Sequence, residues 1–263
     1  MQALPSFGDQ MIRLAEVRGF DRRTLADRSS LPEAAIASVL DGADPTPAVL
    51  HGLASVLGLH RSDLYLIAGQ QVPADLAPQD RNVRGGIGGL AWSLTYLPRA
   101  VADLHELVRS LPQLPRPDGP VAPAPPRHCY PACPGGLVLR LLYNRNLEWT
   151  GAAQCLYGLG CGPMLSPSTI GLIGHGRKDL TPDLLAGFGA VLDIAPADLS
   201  ALTGVDISDL DRRIHPDAGR AAELMWSARR LTAPQLRLVK ERAHDIHHER
   251  AGELEPRARC NCR

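Results

Sequence analysis

Apolar residues recur along this chain at the three- and four-residue spacing of helices that bury one face, with turn chemistry between them. From Asp9 to Gly19, the residues Met11, Ile12, Leu14, Ala15 and Val17 form one stripe. Asp21 stands as an N-cap before RRTLADRSS, and Leu31-Pro32 opens EAAIASVLDG, which Gly42 closes. Thr46-Pro47 places a cap before proline at the first helical position of a fourth helix, whose face is Leu50, Leu53, Ala54 and Leu57. SDLYLIAG supplies a fifth. Residues 70–85 are polar and irregular, and the glycines at 85–89 read as a hinge. Two helical stretches broken near Pro98 follow, the second with Val101, Leu104, Leu107, Val108 and Leu111 on one face.

Residues 112–136 contain nine prolines, a composition that favours an extended, polyproline-like linker over a packed core. Beyond it LVLRLLYNRN opens a second half. NLEWTGAAQCL is a helix with Trp149, Ala152, Ala153 and Leu156 inward, and a loop leads to SPSTIGLIGHG, where Ser166 caps and Pro167 takes the first helical position. LTPDLLAGFGAVLDI and APADLSALTG complete a second set of five helices. A terminal pair broken near Pro234 ends in a tail, beyond Ala251, expected to fray.

The two halves repeat one another. Thr46-Pro47, Asp63-Leu64 and Gly69 recur as Thr181-Pro182, Asp198-Leu199 and Gly204, and Trp92-Ser93 recurs as Trp226-Ser227, always at a shift of 134 or 135. A long unit present twice implies two related domains, because solenoid units are shorter and need more copies. The expected fold is all-α: a first five-helix domain at 1–69, a helical hairpin at 86–111, the linker, a second domain at 137–204 and a C-terminal hairpin at 216–250. The hairpin stripes should pack on each other or on a second chain, as a homodimer would arrange them.

Composition narrows the chemistry. Lysine and arginine together number 28, as do aspartate and glutamate, so the chain is formally neutral. Residues 1–69 hold six arginines against eight acids, and residues 137–204 hold four basic residues against five acids, so neither half is basic. The start lacks a basic region followed by an apolar run, and no apolar stretch approaches the roughly 20 residues of a membrane span. A cytoplasmic protein without membrane partners is expected. In a reducing compartment disulfides are not expected. His128, Cys129 and Cys133 lack the second ligand pair of a structural zinc site, and Cys155 reads as a small core residue. The basic residues Arg229, Arg230, Arg237, Lys240 and Arg242 read as a solvated helix face, and His244, His247 and His248 as a surface cluster. No phosphate loop, nucleophile elbow or carboxylate pair is evident, so neither an enzyme nor a cofactor is expected.

The segments SPSTIGLIGHGRKDLTPDLLAGFGAVLDIAPADLSALTG and FDRRTLADRSSLPEAAIASVLDGADPTPAVLHGLASVLGLHRSDLYLIAG resemble the lambda-repressor-like helix-turn-helix family of Cro or XRE regulators. The resemblance covers about half the chain. It implies a transcription regulator binding double-stranded DNA, with the third helix of each unit in the major groove and the second across the backbone. By position it assigns Ser166, Ser168 and Thr169 to the groove, Arg177 and Lys178 to phosphate, and Arg22, Arg23 and Arg28 to the backbone at the first unit. Two features depart from the family: Arg22 and Trp149 stand where it has glutamine, and the turn before the second unit's third helix is about nine residues long. The first unit presents Pro32, Glu33, Ala34 and Ala35, a poor set for base contacts. A second expectation is therefore an interaction module holding a protein partner, at least through the first domain.

Overall fold

A computed structural model describes residues 2–80, 83–96, 100–116, 124–208, 210 and 215–258, with side chains at all of these except 84, 85, 95, 96 and 250–258. Among the described residues there are fourteen α-helices and no strand. The first half holds α1 (Phe7–Val17), α2 (Arg22–Ser29), α3 (Glu33–Leu40), α4 (Pro47–Val56), α5 (Arg61–Ile67), α6 (Arg84–Tyr96) and α7 (Val101–Ser110). The second holds α8 (Pro134–Tyr143), α9 (Trp149–Gly158), α10 (Pro167–Gly174), α11 (Pro182–Leu192), α12 (Pro196–Thr203), α13 (Ala218–Ala228) and α14 (Ala233–Ala258). Oxygen caps begin several of them: Ser6, Asp21, Thr46, Ser166 and Thr181 each accept from the backbone N–H three residues on.

The halves use the same internal pairings. In the first, α1 and α2 pack on α3, α2 on α4 and α4 on α5; in the second, α8 and α9 pack on α10, α9 on α11 and α11 on α12. The first helices also correspond in detail. A Cβ on Gly8 would lie 2.5 Å from the Leu40 carbonyl oxygen, and one on Gly135 would lie 2.0 Å from that of Ile173. Both glycines let the first helix touch the end of the third. Ser6 and Cys133 cap these helices at equivalent positions, so the repeat register is 127 here and becomes 134 only after α9 and the loop 159–166.

Contacts between the halves are reciprocal. Helix α1 packs on α12 and α5 on α8, while α7 packs on α13 and α6 on α14. The stripe Val101, Leu104 and Val108 is thereby buried with Leu224, Met225 and Ala228, and Leu236, Val239 and Ala243 are buried along α14. Thus the hairpin stripes cover each other within one chain, and the apolar core runs through both halves without a break.

Four readings of the sequence need correction. The glycines at 85–89 are helical and form no hinge: a Cβ on Gly88 would lie 2.7 Å from Gly151 Cα, and one on Gly151 would lie 3.0 Å from Gly88 Cα. They let α6 and α9 cross with their backbones in contact, a gain that offsets the intrinsic cost of helical glycine. Residues 134–136, read as linker, form the buried first turn of α8, because the Cys133 thiol accepts from the Gly136 N–H at 3.3 Å. Helix α14 continues through Ala258, where fraying was expected. Arg229 is buried and Arg230 half-buried, so they do not belong to a solvated face; both are drawn inward by backbone carbonyls. Pro98, residues 117–123 of the proline-rich segment and the terminal Cys260 and Cys262 lie outside the described residues.

Candidate nucleic-acid interface

The three hydroxyls assigned to groove contact gather at the start of α10. Ser166 Oγ accepts from the Thr169 N–H at 3.2 Å and lies 2.8 Å from Ser168 Oγ and 2.9 Å from Thr169 Oγ1. Ser166 and Ser168 are exposed and Thr169 is half-buried. Ser166, which accepts from the Thr169 N–H and from one neighbouring hydroxyl while donating to the other, is saturated. Ser168 and Thr169 keep acceptor capacity, so a ligand could be met at those two without stripping the cap. Arg177 and Lys178 are exposed in the turn that follows, where both backbone N–H groups donate to the Leu172 carbonyl and Gly176 takes the left-handed conformation at φ 65°.

An aromatic platform holds α10 from beneath. The Trp149 ring would lie 2.9 Å from a Cβ on Gly171, so glycine there allows α10 to rest on the indole. Trp149 Nε1 donates to the Tyr130 hydroxyl at 2.7 Å, which in turn lies 2.9 Å from His128 Nδ1. Burial pushes the Tyr130 phenol up to about 12, so it stays a neutral hydroxyl near neutral pH. Trp149 is therefore a packing residue, as its inward position in the helix pattern suggests. His128 is buried and stacked on Tyr143 with ring centroids 4.5 Å apart, Cys133 caps α8, and Cys129 is exposed. Among the described residues no three histidine, cysteine or acidic groups converge as a metal site would require. Burial pushes the Cys155 thiol up to about 12, as suits an inert core residue.

The first half presents a different surface. Arg22 lies 3.4 Å from Asp41 and Arg23 4.0 Å from Asp27, while the Arg28 guanidinium sits 4.7 Å above the Phe20 ring. These arginines are at the surface, yet two already face carboxylates. The first turn of α3 has no side-chain cap, and Pro32, Glu33 and Ala34 are exposed. Hydrogen bonds from Thr24 hold the Asp21 carboxyl below its usual range, which fits its role as the cap of α2.

A buried polar network joins the halves, and sequence reasoning missed it. Arg145 Nη1 donates to Asp63 Oδ1 at 3.1 Å and Arg145 Nη2 to Asp63 Oδ2 at 2.9 Å, with both side chains 1% exposed. Arg145 also donates to the carbonyls of Leu141 and Leu192. Asn144 Nδ2 donates to Ser62 Oγ and Asp63 Oδ1, and Arg229 donates to the side-chain and backbone oxygens of Asn144. Trp226 is sandwiched: His60 stacks on it at 3.4 Å and the Arg229 guanidinium lies 3.9 Å from its ring centroid. Burial drives Arg229 down to about 9 and His60 down to about 4, so His60 is neutral near neutral pH. The available sequence signal was the aspartate at 63 that recurs at 198.

No single described helix is long and apolar enough to cross a membrane. No protein-family model, curated protein or solved structure matches the chain.

Proposed function

We propose that the protein is a DNA-binding transcription regulator in which two five-helix halves present paired reading helices, α3 and α10, from one rigid body. The observation that carries this reading is the equivalent placement of those helices, each packed on its two predecessors with its first turn in solvent. Helix α10 leads the readout. Ser168 and Thr169 offer hydroxyls and a methyl group for base edges, while Arg177 and Lys178 supply phosphate contacts. Arg22, Arg23 and Arg28 would hold the backbone at the other half. No chemistry on a substrate is involved.

The test is duplex binding by the full chain, with a target selected from random sequence and followed by anisotropy across salt concentrations. A steep fall of affinity with salt and a loss on S168A/T169A support the reading. Salt-insensitive duplex binding, or none, counts against it. A protein-interaction role is favoured instead by the exposed Met164 before α10 and Leu172 on it, and by the uncharged or acidic first turn of α3. That role predicts salt-insensitive association with a protein partner.

A further inference from the structure

A cavity of about 780 Å³ opens at the junction of the two halves, within the range of small-molecule sites. The N-terminal turn of α5, the 75–77 turn and the end of α7 wall it from the first half, and the end of α13 walls it from the second. Five arginines line it: Arg61, Arg109, Arg116, Arg229 and Arg230, against the single carboxylate of Asp75. In a chain with no net charge this is a strong local excess of positive charge.

What the guanidiniums bond to matters more than their number. Arg116 donates to the carbonyls of Asp75, Ala77 and Pro78, and Arg230 to those of Val108 and Leu111. Arg229 donates to those of Leu76 and Asn144. Neutral carbonyls fix these groups in place, and the carboxylates that act on them are Asp75 beside Arg116 and Asp63, which Arg229 shares with Arg145. Arg61 and Arg109 are exposed at the rim, and neither has a hydrogen-bond or ion-pair partner among the described residues. Like charges held together in excess of their counter-charges oppose folding, so packing alone does not account for them. Nor does the repeat: the positions matching Arg61, Arg229 and Arg230 in the other half are Pro196, Thr95 and Tyr96.

We propose that this cavity binds a multiply charged small anion of the organic polyphosphate class, gripped by Arg61 and Arg109 at the rim and by Arg116, Arg229 and Arg230 within. Guanidinium forks match phosphate oxygens two at a time, and several converging on one cavity select for several phosphates over one. Because the walls come from both halves, the anion ties the halves together. It should therefore raise the melting temperature of the whole chain. The site does not depend on the DNA-binding reading, and its test contains no DNA in the primary measurement.

The experiment is calorimetric titration of the full chain with inorganic tripolyphosphate at fixed ionic strength. R61Q/R109Q is compared with R237Q/R242Q, which removes the same charge from the exposed face of α14. Arg61 and Arg109 are solvent-facing, so their substitution should leave folding intact, read as an unchanged melting temperature without ligand. Saturable binding by the native chain, weakened about tenfold or more by R61Q/R109Q and unchanged by R237Q/R242Q, is the expected result. No binding at low millimolar tripolyphosphate overturns the proposal. So does equal weakening by both pairs, which would mark general charge attraction. So does tripolyphosphate binding that R61Q/R109Q leaves unchanged while a parallel duplex titration loses affinity, which would make this face a phosphodiester contact.

Discussion

Arg145 and Asp63 form a two-pronged, fully buried ion pair that crosses from one half of the chain to the other. Its counterpart is Arg18 with Asp198, at 2.5 Å. Arg18 and Arg145 are related by the 127-residue register of the first helices, and Asp63 and Asp198 by the 135-residue register of the fifth. Each half thus extends an arginine from the end of its first helix to the fifth helix of the other. The two copies differ in burial: the Arg18 side chain is 38% exposed, that of Arg145 1%.

That difference sets unequal costs. Asp63→Ala leaves Arg145 and Arg229 buried without their carboxylate, and should destabilise the chain by about 3–5 kcal/mol. Arg18→Ala removes a partly solvated partner and should cost about 1 kcal/mol. Urea unfolding of both variants checks this. Equal losses would mean that burial does not distinguish the pairs.

His60 gives the junction a pH dependence. Its folded pKa, about 4, lies below the unfolded value near 6.5, so the unfolded chain binds the extra proton between those limits. The stabilisation is complete above about pH 6.5 and is lost as pH falls towards 4. Arg145 and Arg229 oppose protonation and Asp63 favours it, with desolvation the largest influence. After allowance for the ring's partial exposure, the loss is on the order of 1–2 kcal/mol. His60→Phe keeps the stack on Trp226 and should flatten this part of the profile in urea midpoints between pH 7 and 4.5.

The crossing of α6 and α9 is the most sensitive backbone contact. Leucine at Gly88 or Gly151 must drive the helices apart, with a cost of roughly 1–3 kcal/mol or more, whereas Gly89→Ala should be tolerated. At Gly89 the nearest atoms to a new Cβ belong to the flexible Lys240 side chain, at 3.7 Å. Thermal melts of the three variants compare these sites directly.

These glycines show where the sequence could be read and where it could not. Helices α4, α10 and α11 announce themselves through Thr46-Pro47, Ser166-Pro167 and Thr181-Pro182, since cap and first-turn proline are local chemistry. Gly88 and Gly151 are helical only because each meets the other across 63 positions, which no local signal encodes. Arg229 reads as surface in any helical pattern, and its carbonyl partners become visible only when the halves meet. The 127-residue register was hidden because α9 and the following loop exceed their counterparts by seven residues. Ser166 is legible as a cap, but its bonds to the hydroxyls of Ser168 and Thr169 are not.

The packed junction sharpens the expectation for DNA. If α3 and α10 both enter a duplex from one face, their half-sites should lie about 10–10.5 base pairs apart, or a multiple of that. Were the halves joined only by the proline-rich segment, adding ten base pairs between half-sites would restore the helical face and much of the joint affinity. The reciprocal packing of α1 on α12 and α5 on α8, with Arg145 and Asp63 between them, fixes their separation instead. Insertion of five base pairs and insertion of ten should then be equally damaging, each lowering affinity by roughly 100-fold towards that of one half-site. Gel-shift titration on mapped half-sites measures this. Recovery at ten base pairs would show that the halves separate on DNA. Unchanged affinity at both spacings would show that α10 alone reads the duplex and that the first half serves another partner.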